Sequence, residues 1–140
     1  MQIKEIRTRE EISETFKILA QIYENLDRET YVEDFFKMIP FGYKMAAVFE
    51  ENSRCIGVVG IRFMQKLHYG KVVEIEDFMI DRQKRGIGVG KMLIRWVEWQ
   101  ALGSNSQNII GNLKTKRLES QKIFAREKFI LDGFFFRKKC

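Results

Sequence analysis

Very little of this 140-residue chain can cross-link, bind soft metals or break up secondary structure. It has two cysteines, Cys55 and Cys140, one histidine, His68, and one proline, Pro40. With no CxxC pair and no cysteine near His68, a disulfide framework and a zinc site both lack their ligands, and no metal is expected. The single proline and the lack of low-complexity sequence leave no linker, so residues 1–140 read as one domain. No run approaches the 18 or so apolar residues of a membrane span, and "MQIKEIRTREE" lacks the apolar core of a signal peptide. A cytoplasmic protein with no membrane partner is expected, as a monomer or homodimer.

Charge is present but unevenly placed. Residues 1–70 hold 10 Lys/Arg against 11 Asp/Glu, and residues 71–140 hold 15 against 8, which leaves the second half at +7. Such an excess is either a solvated basic face or a surface for an anionic ligand.

Periodicity gives the element order. "MQIKEIR" reads as a short strand, and Thr8 with Glu11 forms a capping box ahead of Ile12, Phe16, Leu19, Ile22, Tyr23 and Leu26 at helical spacing. Thr30 with Glu33 repeats the signal before Phe35, Phe36, Met38 and Ile39, in a second helix that Pro40 stops. "YKMAAVFE" and "CIGVVGIRFMQK" are strands joined by a turn at "ENSR", and "KVVEIEDFMI" follows a turn at "HYG". A helix with Val89, Met92, Leu93, Trp96, Val97 and Ala101 on one face comes next, closed by Gly103. "QNIIGNL" reads as a strand, "TKRLESQKIFAREK" as a helix and "FILDGFFFRK" as a last strand or hairpin. The order β, α, α, β, β, β, α, β, α, β describes a mixed α/β fold.

The densest chemical signal is "KRGIGVGKML", three glycines in five positions at a helix start. A phosphate-binding Walker loop needs a glycine where Arg85 stands and Ser or Thr where Met92 stands; a dinucleotide fingerprint needs a glycine where Lys91 or Leu93 stands. Both fail. What remains is a strand, a short polar loop and bare backbone at a helix N-terminus, where unpaired N–H groups and the helix dipole suit an anion. Arg82, Lys84, Arg85 and Lys91 add positive charge suited to several phosphates.

Arg85-x-x-Gly88-x-Gly90 after Ile80 resembles the acyl-CoA motif of the GNAT family of N-acetyltransferases, and the element order resembles that family across nearly the whole chain. The resemblance implies a central, mostly antiparallel mixed sheet flanked by about four helices, with a splay between the fourth and fifth strands. It implies acetyl-CoA as cosubstrate, its pyrophosphate on Arg85, Gly86, Ile87, Gly88, Val89, Gly90 and Lys91, and its pantetheine arm along Phe78, Met79 and Ile80. The acceptor would be a small-molecule or protein amine. A protonated amine has a pKa near ~10.4 and must lose a proton before it attacks, so a base is required.

"VVEIEDFMI" carries three carboxylates. Strand alternation puts Glu74 and Glu76 on one face with Phe78 and Ile80, and Asp77 on the other with Val73 and Ile75. The resemblance implies a general-base glutamate at Glu74 or an acidic pair at Glu76 and Asp77, and Glu76, then Glu74, is the expected base; the same side chains could equally be surface carboxylates paired with Lys71 or Arg62. In "IFAREKF", Phe124 stands where many family members have a proton-donating tyrosine and Lys128 where they have a glycine. Phe124 then lies beside the coenzyme or in the core, and Arg117 could help hold the coenzyme. The first two helices imply an acceptor groove in which Glu29, Glu33 and Asp34, with Tyr31, Phe35 and Phe36, are lining or core. Two other readings stay open: a coenzyme-binding protein without turnover, and a basic nucleic-acid binder. The second is disfavoured because the cations cluster at a glycine loop, so no nucleic-acid partner is expected.

Overall fold

The computed structural model describes residues 1–140. Its strands are β1 (Gln2–Ile6), β2 (Tyr43–Phe49), β3 (Cys55–Lys66), β4 (Gly70–Ile80) and β5 (Asn108–Gly111), and its helices are α1 (Arg9–Ala20), α2 (Arg28–Met38), α3 (Val89–Gly103) and α4 (Leu118–Arg126). The sheet order is β1-β2-β3-β4-β5, antiparallel throughout except for the parallel pair β4–β5. That pair needs a crossover, and α3 supplies it.

Each face of the sheet carries its own core. Ile12, Ile18 and Leu19 of α1 and Tyr31, Val32 and Phe35 of α2 pack on Met45, Ala47, Val58 and Met79. Val89, Leu93, Ile94 and Val97 of α3 and Phe124 of α4 pack on the other face, against Ala46, Val48, Val59, Ile61, Val73, Ile75 and Phe78. Tyr31 and Phe35 are therefore core rather than groove lining, and the Tyr31 hydroxyl meets Thr15 at 2.5 Å. Glu33 is an exposed partner of Arg9.

The α1 capping box forms as expected: Thr8 accepts from Glu11 N, and Glu11 Oε1 accepts from Thr8 N at 2.9 Å. The Thr8 amide, and next the Arg7 amide, which donates to the same oxygen at 2.9 Å, hold the Glu11 carboxyl down to about 2. The α2 cap differs from expectation. Asp27, not Thr30, is the N-cap, and its Oδ2 accepts from both the Thr30 amide and the Thr30 hydroxyl at 3.0 Å. Two capping signals three residues apart compete, and the carboxylate, also favoured by the helix dipole, wins.

Two further expectations are corrected. "FILDGFFFRK" forms neither strand nor hairpin; after Phe129 N bonds Phe124 O, no further backbone bond is made, and Ile130, Leu131, Phe134, Phe135 and Phe136 lie exposed. The alternation of β4 also breaks. Ile61 pairs with Ile75 and Gly60 with Asp77, so Glu76 is the extra residue of a β-bulge. Past it the faces switch: Phe78 joins Val73 and Ile75 against α3, while Asp77 turns to the side of α1 and α2.

Candidate active site

The bulge stands where the sheet opens. β5 pairs with β4 only from Val72 to Ile75, so Glu76 to Ile80 have no strand partner on that side. This is the splay between the fourth and fifth strands, and it exposes a row of β4 backbone groups to whatever enters it.

At the far end of that row, Asp81 anchors the loop to α3. It is almost fully buried, its amide bonds Ile56 O, and its carboxylate accepts from Gln83 N at 3.1 Å and Arg54 Nη2 at 2.7 Å. Burial works to raise its pKa, but the bonds from Gln83 and Arg54 outweigh it and the net shift is downward. A folded-state pKa below the unfolded one contributes stability above the unfolded value near ~4, lost as pH falls through the folded value. Asp81→Asn should cost about 2 kcal/mol at neutral pH. The loss should shrink on acidification, a difference that melting curves at pH 7 and pH 3 measure. Sequence inspection did not single out Asp81; its only local signal is its place directly after a strand and before a turn.

From Asp81 the chain makes one 3₁₀ turn, Arg82–Lys84, and then passes Gly86 at φ 81° and Gly88 at φ 92°. Both conformations disfavour a side chain, and a Cβ at either would meet no atom within 4 Å. Gly88 is the N-cap of α3 and gives it no side-chain bond; no acidic residue stands in the first turn. The first helical bond runs from Met92 N to Gly88 O, so the amides of Val89, Gly90 and Lys91 point out unpaired. Gly90 has a different job: a Cβ there would come within 2.9 Å of Ile123 Cδ1, so its bareness lets α3 pack on α4.

The flanking cations divide as well. Lys84 pairs with Glu50 at 2.8 Å and Arg82 bonds Gln21 O at 3.2 Å, whereas Arg85 and Lys91 have no salt bridge. Arg117 reaches across the splay from the N-terminal end of α4, where Nη2 donates to Phe78 O at 2.5 Å and to Ser120 Oγ at 3.0 Å. Burial, then the charge of Arg85, holds its pKa below the usual range, against Tyr23 and Asp77, which act the other way.

The three carboxylates of β4 have three environments. Glu76 is gripped by Arg62 through both oxygens, at 2.6 and 3.2 Å, and Glu74 lies 3.8 Å from Lys66. Asp77 accepts from two tyrosine hydroxyls: Tyr23, which follows α1, on Oδ1, and Tyr43 of β2 on Oδ2 at 2.5 Å. Burial raises the Asp77 pKa, partly offset by those two bonds. Burial, and next the Asp77 charge, pushes both tyrosines up.

Phe124 is buried, edge-on to Phe78 at 5.2 Å and stacked on Phe129 at 4.6 Å. Phe124→Tyr would put a hydroxyl among these rings. The expected result is a loss of roughly 1–3 kcal/mol with no faster single-turnover rate; a faster rate without loss of stability would move the ring to the reacting atoms.

Set beside known proteins, residues 9–125 match the family model described as "Acetyltransferase (GNAT) family". The N-acetyltransferase YhdJ of Bacillus subtilis (strain 168) is 23% identical over 99% of this chain and 98% of its own length. The aminoalkylphosphonate N-acetyltransferase of Salmonella typhimurium (strain LT2) is 21% identical over 99% of this chain and 92% of its own. Among solved structures, a ribosomal-protein-alanine N-acetyltransferase from Brucella melitensis superposes with a TM-score of 0.85 at 13% identity, over 100% of both chains. The aminoglycoside N-acetyltransferase AAC(6')-Iy in complex with CoA gives 0.83 at 16% identity, over 99% of this chain and 95% of that one. With the splayed sheet, the bare loop and a family model spanning residues 9–125, this chain belongs to the GNAT family of acetyltransferases.

Proposed function

We propose that this protein transfers the acetyl group of acetyl-CoA to a primary amine by direct attack within a ternary complex. The observation that carries the proposal is the uncapped N-terminus of α3, where open glycines at 86 and 88 and three unpaired amides stand beside unpaired Arg85 and Lys91. These residues fit a pyrophosphate. The β4 row from Phe78 to Ile80 has no strand partner on the splay side, where only Arg117 bonds it, at Phe78 O, and it suits an arm that bonds like a strand.

When bound, acetyl-CoA supplies an activated acetyl carbon. The chain's part is to hold an amine beside it, accept a proton, and present a β4 amide near Phe78 to the developing oxyanion. The proton acceptor is sought among the β4 carboxylates. Glu76 and Glu74 stay in the proposal, with Glu76 first released from Arg62; the bulge brings Asp77 into it as a third candidate.

The acceptors that the relatives are named for, an aminoalkylphosphonate, a ribosomal-protein alanine and an aminoglycoside, share an amine and little else. They support an amine acceptor without choosing one. The test is thiol release from acetyl-CoA across an amine panel, alongside the thermal shift that acetyl-CoA produces. A shift without release on any amine leaves the second reading, a coenzyme-binding protein without turnover, in which Arg62 keeps Glu76 and the two tyrosines keep Asp77.

A further inference from the structure

Arg117 is the half-buried charge that the fold leaves unanswered. Arg62 of β3 holds Glu76, but Arg117, at the N-cap of α4, has no carboxylate within salt-bridge distance. Its bonds go to a carbonyl and a hydroxyl, through one of its nitrogens. A guanidinium has five N–H donors, and dipoles offset only part of the cost of drawing a cation out of water. The remaining donors suit an oxyanion brought by a ligand.

Nearby stands the opposite charge. Asp77 uses one lone pair of each oxygen on a tyrosine, which leaves others free, and it is only partly covered at the bulge. Asp77 directly precedes Phe78, whose carbonyl Arg117 bonds, so the two charges stand at neighbouring β4 positions without pairing. A cation site and an anion site, held apart at the mouth of one splay, match a molecule that carries both signs.

We propose that the acceptor is a small zwitterion, whose ammonium meets the Asp77 carboxylate and whose acid group, a carboxylate or related oxyanion, meets Arg117. This rests on the acetyltransferase reading above. The competing source of the anion is the coenzyme's own phosphate, because Arg117 bonds Phe78 O at the start of the β4 row that suits the coenzyme's arm.

The experiment compares β-alanine, alanine and taurine, each against the amine that lacks its acid group, in wild type, Arg117→Gln and Arg117→Lys, with KM measured for both substrates. The expected wild-type result is a kcat/KM at least tenfold higher for the acid-bearing member of at least one pair. Arg117→Gln should collapse that ratio, raising the acceptor KM at least tenfold more than the acetyl-CoA KM, and Arg117→Lys should keep part of the preference. Equal use of both members by wild type overturns the proposal. So does an Arg117→Gln variant whose acetyl-CoA KM rises while the acceptor ratio stays, which would give Arg117 to the coenzyme. Should Arg117→Gln fail to fold, the wild-type ratio and the Lys variant still decide. Thiol release from no amine at all, despite an acetyl-CoA thermal shift, removes the transferase reading and this proposal with it.

Discussion

Gly88→Asp should weaken acetyl-CoA binding by at least ~100-fold while leaving a folded protein. The fold tolerates the change because the space is open: no atom lies within 4 Å of the Cβ it would add. The cost is conformational, since φ 92° lies in the left-handed region and charges an L-residue roughly 1–2 kcal/mol. The carboxylate it carries fixes a negative charge where another must arrive. Two unit charges at ~4 Å repel by about 4 kcal/mol at the effective dielectric near a surface, more than the ~2.7 kcal/mol that a hundredfold loss requires. Gly88→Ala isolates the backbone cost, and titration calorimetry on both variants separates the terms. A Gly88→Asp protein that melts normally and still binds acetyl-CoA like wild type would put the coenzyme elsewhere.

The loop was legible because its information is local. Bare backbone, a preceding strand and a following apolar helix follow one another without a break from Gly70 to Gly103, and the helix-start chemistry needs nothing from the rest of the chain. The order of the elements up to α4 was legible for the same reason. What the sequence hid depends on partners. A β-bulge is a property of two strands, and nothing in "VVEIEDFMI" marks Glu76 as the residue β3 skips, so simple alternation put Asp77 and Phe78 on the wrong faces. Tyr23 and Tyr43 lie 54 and 34 residues from Asp77 and read as ordinary helix and strand residues until the fold joins them. The expected last strand failed on the other side of the same principle. "FILDGFFFRK" has the composition of a strand but makes no ladder, because composition does not supply a partner edge.

Gly60 shows how such a centre depends on a residue with no side chain, and Gly60→Ala is the second change with a large expected effect. Its position on β3 faces Asp77 across the bulge, and the pocket there is already full. An added Cβ would overlap the Tyr43 hydroxyl and stand 2.7 Å from both Asp77 Oδ2 and Tyr43 Cζ. Tyr43 is buried at 5% exposure, so its ring cannot swing into solvent without emptying a core site it shares with Phe35, 5.2 Å away edge-on. Overpacking of this kind costs roughly 1–3 kcal/mol, and a buried hydroxyl forced off its acceptor adds about 1–3 kcal/mol. The expected loss is about 3 kcal/mol, on the order of 10 °C in melting temperature for a chain this size. Adding Tyr43→Phe removes the overlapping oxygen and should recover part of the loss, so the two changes would be markedly non-additive in a double-mutant cycle. Activity should fall in both single variants by more than acetyl-CoA binding does, because the hydroxyl that holds Asp77 in place is displaced in one and absent in the other. If Gly60→Ala melted like wild type, or its effect added simply to that of Tyr43→Phe, the Tyr43–Asp77 bond would not be what holds the carboxylate at the splay.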